Sequence, residues 1–250
     1  MSGRIRLSKI STLPPDNLEK EKAVAETKNM VKKIGELQHA LYAEKKQALL
    51  VVLQGMDGSG KDGAVNNVFA ACSPSGVRVS TFKKPTDEEF AHDFLWRVHK
   101  VTPQKGMIQI FVRSHYEDVL IQRVHGWISE ERALKRIAAI NAFEELLEFD
   151  NNTKVVKFFL YLSREQQKLE LQERIDDPKK RWKHNPADWK EAELWDKYMD
   201  CYEDAINRSS IPWHIAPVDR RWYRDYAIAG AVSKTLARMN PKLPDQTDYS

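Results

Sequence analysis

A chain of 250 residues is long enough for one large domain or two small ones, and 42% hydrophobic with 30% charged residues is the composition of a globular protein, not a fibrous or low-complexity one. Lys and Arg number 40 against 36 Asp and Glu, a net charge of only +4, so any preference for an anionic partner must come from clustering of the positive charge. Cys72 and Cys201 stand in no metal or redox spacing, which excludes a disulfide scaffold or zinc module and makes the cytoplasm the expected location. The longest apolar run, Ala48 to Leu53, is far short of the roughly 20 residues that span a bilayer, and no apolar stretch follows Arg4, Arg6 and Lys9 as a signal peptide requires.

Residues 1–17 are polar, carry Pro14 and Pro15, and are expected as an N-terminal arm. From Leu18 the pattern turns helical, with Met30, Ile34, Leu37 and Leu41 recurring every three to four residues. Gln47 to Gln54 is a near-continuous apolar run, the signature of a strand buried on both faces. Glycines follow, then a helix over about Lys61 to Ala71 and a β-branched strand over Val77 to Phe82. Thr86 and Glu89 form a capping box for a helix expected to reach about Lys100. Met107 to Val112 reads as a third strand, and Ser114 as the cap of a short helix through Val124. Ser129 opens a helix carrying Leu134, Ile137, Ile140, Phe143 and Leu147. Lys154 to Leu162 is a fourth strand, with Ser163 and Gln166 as the capping box of the helix after it. Trp213 to Val218 is a fifth, and Arg221 to Met239 the last helix.

Alternating strands and helices predict a five-stranded parallel sheet covered on both faces, a three-layer α/β/α domain over residues 18–240, with 241–250 as a tail. The stretch 174–195 breaks the rhythm. Arg174, Lys179, Lys180, Arg181, Lys183, His184 and Lys190 interleave there with Trp182 and Trp189, between the fourth and fifth strands. A basic lid that closes over phosphates is expected at that insertion point.

Five constellations carry chemistry. Gly55-Met-Asp-Gly-Ser-Gly60-Lys61-Asp62 follows a buried strand and opens a helix, the context of a phosphate-binding P-loop. Gly58, Ser59 and Gly60 supply backbone N–H groups to phosphate oxygens, and the helix start adds its positive dipole end. Lys61 reaches the outer phosphates. Asp62 stands where Ser or Thr would ligate Mg²⁺, so part of the metal duty passes to Asp57 inside the loop, a hard oxygen ligand. Next, Arg113-Ser114-His115-Tyr116-Glu117-Asp118 begins where the third strand ends, the sheet edge at which doubly wound folds bind ligands. Arg113 is a candidate phosphoryl clamp; Glu117 or Asp118 either orients metal or acceptor or merely favours a helix dipole. Lys83 and Lys84 lie at the same edge. Arg97, four residues after Asp93, is either a site residue or half of a helical ion pair. In the lid, Lys180, Arg181 and Lys183 suit a polyanion. Finally, Asp219, Arg220 and Arg221 end the fifth strand, and the two arginines either touch phosphate or begin the last helix.

Taken in order, VVLQGMDGSGKDG, FKKPT…HDFLWR, RSHYEDVL, KHNPADW, ELWDKYMDCYE and PWHIAPVDRRWY resemble the polyphosphate kinase type 2 family from about Leu37 to Met239. The resemblance implies a P-loop kinase fold similar to thymidylate kinases. It also implies Mg²⁺-dependent transfer of a terminal phosphoryl group, reversibly, between inorganic polyphosphate and nucleoside mono- and diphosphates (AMP/ADP, GMP/GDP), with Mn²⁺ able to replace Mg²⁺. By position it makes Asp57, Lys61, Arg113 and Glu117 catalytic, Asp62 an assistant to Asp57 in holding the metal, and Arg97, His115, Glu117 and Asp118 nucleotide contacts. Lys83, Lys84 and the lid cations would track the phosphate chain. The expected partners are polyphosphate and nucleotides, not nucleic acid or membrane, and the expected assembly is a homo-oligomer, dimer or tetramer. Two positions depart from the family pattern: Val112 stands where Asn is expected and Ala192 where Arg is expected. Alternatives are an ATP-dependent nucleotide kinase of the same fold, or a weakly active or non-catalytic polyphosphate-binding variant.

Overall fold

The buried-strand runs of the sequence all become strands of one sheet. The computed structural model describes residues 4–245, so the first three residues of the arm and the last five of the tail lie outside it. In chain order the elements are α1 (Lys20–Glu44), β1 (Ala48–Gln54), α2 (Lys61–Val68), β2 (Val77–Thr81), α3 (Asp87–Phe90), α4 (Trp96–His99) and β3 (Ile108–Val112). Then come α5 (Ile121–Val124), α6 (Glu130–Phe149), β4 (Thr153–Tyr161), α7 (Arg164–Asp176), α8 (Pro186–Glu193), α9 (Trp195–Arg208), β5 (Trp213–Pro217) and α10 (Arg221–Met239). None of these helices is long and apolar enough to cross a membrane.

The strands order as β2-β3-β1-β4-β5, all parallel. All seven residues of β1 are buried because helices cover both faces of the sheet. Leu49, Val51 and Leu53 face one apolar cluster, shared with Ile34 and Leu41 of α1, Ala64 and Val68 of α2 and Ile228 and Val232 of α10. Leu50 and Val52 face the other, with Ile140 and Phe143 of α6 and Tyr202 of α9. The chain runs outward from β1 to β2, returns to β3, then crosses β1 to reach β4. The topology therefore reverses at the C-terminal end of β1, where a parallel sheet opens its ligand crevice.

Four local expectations differ from the structure. The helix expected from Thr86 to Lys100 is two single turns. The Thr86–Glu89 capping box forms, but the Asp93 carboxylate accepts from the Leu95 N–H at 2.9 Å and turns the chain before Trp96. The helix expected after Ser114 is a 3₁₀ turn over His115–Val119 followed by the single turn α5, with Leu120 in a non-helical conformation (φ −104°, ψ −82°) between them. Ser163 caps α7, yet Gln166 bonds Glu170 instead of reaching back, so only half of that capping box exists. The described part of the arm is strapped down. Leu7 is buried, its N–H donates to Glu203 at 2.8 Å, and Asn207 both accepts from the Ile5 N–H and donates to its carbonyl.

Candidate active site

The loop between β1 and α2 curls because two of its residues adopt left-handed backbone angles, Gly58 at φ 92° and Gly60 at φ 80°. A Cβ on Gly60 would lie 2.2 Å from the Arg224 guanidinium, so any larger residue there would also have to push that side chain aside. Lys61 begins α2 with its ammonium turned back on the loop, donating to the carbonyls of Gly55 at 2.7 Å and Met56 at 3.1 Å. Burial pushes its pKa down to about 8, against the pull of the Asp57 carboxylate. Burial alone would raise Asp57, but the charges of Lys61 and Arg113 outweigh it and hold the carboxyl below its ordinary range.

Arg113 follows β3 and donates to Asp57 at 2.6 Å. Its backbone is left-handed (φ 59°), a conformation that costs a non-glycine residue roughly 1–3 kcal/mol and persists only where the surroundings impose it. They do so here: the Arg113 N–H donates to the Leu53 carbonyl at 3.0 Å, and the Ser114 hydroxyl donates to Gln54 at 3.2 Å while accepting from the Tyr116 N–H. Gln54 in turn donates to the Glu117 carboxylate at 2.7 Å. Burial raises the Glu117 pKa, and the charges of Arg113 and Lys61 offset it only in part.

Two hollows meet at the Asp57–Arg113 pair. The first, a cleft of ≈ 480 Å³, is strongly basic. Lys61, Lys83 and Arg113 line its sheet side, Arg174, Lys180 and Lys183 the side of the 174–195 segment, and Arg221 and Arg224 project from α10. Carboxylates hold several of these cations. Lys183 lies 3.4 Å from Asp62, Lys180 2.6 Å from Glu173, Arg174 2.6 Å from Asp188, and Arg221 contacts both Glu170 and Glu173. The second hollow, ≈ 250 Å³, is different in kind. Met56, Ile121, Tyr198 and Tyr202 give it apolar and aromatic walls, and Glu117, Asp188 and Glu191 give it acceptors. Tyr198 donates to Glu191 at 2.6 Å and so fixes that wall.

The structure thus brings Asp57, Gly58, Gly60, Lys61, Asp62, Lys83, Arg113, Lys180 and Lys183 to one cleft, and Glu117 to the hollow behind it. Ser59 is buried beneath the loop, its hydroxyl 3.4 Å from the Lys61 ammonium. Other expected residues stand elsewhere. His115 is fully buried on the far side of its turn, its Nε2 3.1 Å from Glu144 and its ring against Phe143 and Tyr116, so it is a core residue and not a nucleotide contact. Arg97 and Asp118 pair with each other at 3.3 Å, both nearly buried, and Arg97 also donates to the Lys83 carbonyl. They brace the segment carrying Lys83 and line neither hollow; Arg97 does not pair with Asp93. Lys84 and Arg181 are exposed beside the cleft and not on its wall. Residues the sequence reading passed over are Glu170, Glu173 and Arg224 in the basic cleft and Glu191, Tyr198 and Tyr202 in the second hollow. Arg221, for which a structural role was the alternative, lies on the wall; the spacing of Arg221 and Arg224 by three residues was the available signal, since it puts both on one helix face.

Among the described residues no three His, Cys, Asp or Glu side chains converge as a closed metal site. Mg²⁺ ordinarily takes one or two carboxylates and completes its shell with phosphate oxygens and water. Asp57 and Asp62, both hard oxygen donors on the cleft wall, match that requirement.

A family model for polyphosphate kinase 2 (PPK2) matches residues 17–244. The chain is 44% identical over 216 residues to an AMP/ADP-polyphosphate phosphotransferase of Meiothermus ruber, covering 85% of this chain and 80% of that one. It is 36% identical over 235 residues to an ADP-polyphosphate phosphotransferase of Rhodopseudomonas palustris, covering 88% and 81%. The crystal structure of polyphosphate kinase 2 from Arthrobacter aurescens TC1 superposes with a TM-score of 0.94 at 38% identity, over 98% of this chain and 89% of that one. With a P-loop at the sheet's reversal point, a basic cleft over it and a match along nearly its whole length, the chain belongs to the polyphosphate kinase 2 family.

Proposed function

We propose that this enzyme transfers the terminal phosphoryl group of inorganic polyphosphate to nucleoside mono- and diphosphates, AMP and ADP first among them, with the chain in the basic cleft and the nucleoside in the acidic, aromatic hollow. The observation that carries this reading is the meeting of two chemically opposite hollows at one Asp57–Arg113 pair. A repetitive polyanion suits the cations that continue past Lys61 through Arg174, Lys180 and Lys183 to Arg221. A nucleoside suits tyrosine rings and carboxylates that accept from its hydroxyls and amines.

At the junction an oxygen of the acceptor phosphate attacks the terminal phosphorus of the chain. The new P–O bond forms as the bridging P–O bond breaks, and the polyphosphate leaves one unit shorter. Such transfer needs alignment and charge neutralisation more than covalent help. The loop N–H groups and Lys61 hold the donor end, and Arg113 spans the two hollows as a permanent cation. Asp57 and Asp62 would hold a divalent cation, Mg²⁺ or Mn²⁺, which neutralises the phosphate oxygens. The segment from Arg174 to Trp195 serves as the closing lid of a single domain, and a dimer or tetramer in the cytoplasm is the accompanying expectation, checked by sedimentation and fractionation.

The test is turnover without ATP. Enzyme, polyphosphate, Mg²⁺ and ADP should yield ATP, and AMP in place of ADP should yield ADP and then ATP. GMP and GDP in parallel read the breadth of the acceptor. Product from ATP plus AMP, with none from polyphosphate plus ADP, would instead establish an ATP-dependent nucleotide kinase.

A further inference from the structure

Where α10 passes the P-loop it buries two consecutive charges, Arg224 and Asp225. A guanidinium at that depth is costly unless paired, and Asp225 pairs it. The carboxylate's Oδ1 accepts from Arg224 Nε at 2.8 Å and lies 2.7 Å from Nη2. Its other oxygen, Oδ2, accepts from the Asn67 side-chain amide at 2.7 Å. Asp225 therefore joins the arginine to α2, the helix that the P-loop opens. The guanidinium rests on the start of that helix: a Cβ on Gly60 would fall 2.2 Å from Nη1, and one on Gly63 3.0 Å from Nη2. Nη1 has no hydrogen-bond partner among the described residues, and Arg224 lines the basic cleft beside Gly60, Lys61 and Gly63. Its side chain is 5% exposed, against 20% for Arg174, 36% for Arg113 and 52% for Arg221, so it is the cleft arginine with the least freedom to move.

We propose that Arg224 is a preset donor to a phosphate of the chain at the end of the P-loop, and that Asp225, braced by Asn67, is the positioning residue that aims it. This rests on the assignment of the basic cleft to polyphosphate. With Nε and Nη2 turned to Asp225, Nη1 is the nitrogen left to donate to a ligand oxygen. Ordering a long cationic side chain on binding costs affinity. Here burial, the bare faces of Gly60 and Gly63 and the Asp225 carboxylate order it before the chain arrives. Asp225 does not line the cleft itself, so it meets the ligand only through Arg224. Its effect on binding is one of aim and not of repulsion, and neither residue makes or breaks a bond in the transfer.

The experiment is equilibrium binding of long-chain polyphosphate, without nucleotide, to the wild type, Arg224→Met, Asp225→Asn, Asp225→Ala and Arg224→Met/Asp225→Ala, with Lys183→Gln as the reference for the cleft. A hydrogen bond to a charged group accounts for a factor of about 10 to 150, so Arg224→Met is expected to weaken binding at least about tenfold. Asp225→Ala leaves the guanidinium its charge but not its aim, and should weaken binding by about two- to tenfold, the ordering cost of one long side chain. Asp225→Asn keeps an acceptor for Nε and should restore most of that loss. In the Arg224→Met background Asp225→Ala should change nothing, because no donor is left to aim. Asp225→Ala leaves a buried cation unpaired. Should a thermal melt show that it does not fold, Asn67→Ala carries the same comparison in both backgrounds, since Asn67 is exposed on α2 and alanine favours a helix. Tighter binding in Asp225→Ala overturns the positioning role, and so does an equal loss with and without Arg224. If Arg224→Met and Lys183→Gln both leave the affinity untouched, the cleft is not the polyphosphate site and the underlying assignment falls as well. If Lys183→Gln weakens binding and Arg224→Met does not, the cleft assignment stands and only the roles of Arg224 and Asp225 are lost.

Discussion

Lys61 is a buried ammonium whose proton is loosely held, with a pKa pushed down to about 8 chiefly by burial. Below that pH it is a cation ready for phosphate; above it, the neutral amine dominates. The kcat/KM for polyphosphate is therefore expected to fall as pH rises through about 8. An anionic chain restores the proton once bound, so kcat should fall only at higher pH. A pH profile of kcat/KM that is flat above 8 would contradict this. Replacement of Lys61 by Met removes the charge with little change of bulk, and a loss of about 10²–10³ in kcat is expected from steady-state assays. Arg113→Lys keeps the charge but cannot keep the same planar geometry to Asp57 and into both hollows. Its kcat should fall at least tenfold, while a thermal melt moves little because the side chain is about a third exposed. His115 and Arg113 show the limit of reading single residues. Two positions apart in one motif, they end on opposite sides of it, because the irregular backbone after β3 follows neither a 2-residue nor a 3.6-residue period. Strand-end placement pointed to Arg113, whereas nothing in the spacing distinguished a cleft histidine from a core one.

The turn that carries Arg113 and Glu117 is anchored beneath by a buried polar network joining several elements. Glu144 of α6 accepts from Lys157 of β4 at 2.5 Å and lies 3.1 Å from His115, and Lys157 donates to the Tyr116 hydroxyl at 2.7 Å. Lys157 and Glu144 are both fully buried. Removing one partner of such a pair leaves the other uncompensated, so Lys157→Met should cost about 3–5 kcal/mol in urea unfolding. The double variant Lys157→Met/Glu144→Leu should recover most of that loss, since apolar packing replaces a buried pair at little net cost. Ala192 is a second element-scale case. It lies buried on α8 and does not line either hollow, so Ala192→Arg should lower the melting temperature without lowering the KM of either substrate. Val112 does line the basic cleft, so Val112→Asn is the substitution of the two that acts on the site. At this scale the sequence was largely readable. β1 and β4 are covered on both faces and show it as long apolar runs, that of β4 broken by Lys157, whose charge is met inside the core by Glu144. The region from Thr86 to Lys100 was not, because a capping box marks where a helix begins and says nothing of the Asp93 turn that ends it.

Across the molecule a net charge of +4 resolves into a cationic cleft and an acidic, aromatic hollow that share one wall. The P-loop half of this was legible, since strand, glycines and helix are contiguous in the chain. The other half was less so, because Glu170 and Glu173 of α7 and Arg224 of α10 read as ordinary helix faces, and Arg221 as either a phosphate contact or a helix start, until the fold sets them opposite each other. Charge complementarity of this kind is screened by salt. The KM for polyphosphate is accordingly expected to rise with ionic strength more steeply than that for AMP, as read from initial rates across a salt series. The central claim, that phosphate chain and nucleoside enter from opposite sides of Asp57–Arg113, is tested most directly by two-substrate kinetics on Lys183→Gln and Glu191→Gln. Lys183→Gln should raise the KM for polyphosphate and leave that for AMP unchanged, and Glu191→Gln should do the reverse. A rise of the same KM in both variants would contradict the two-sided site.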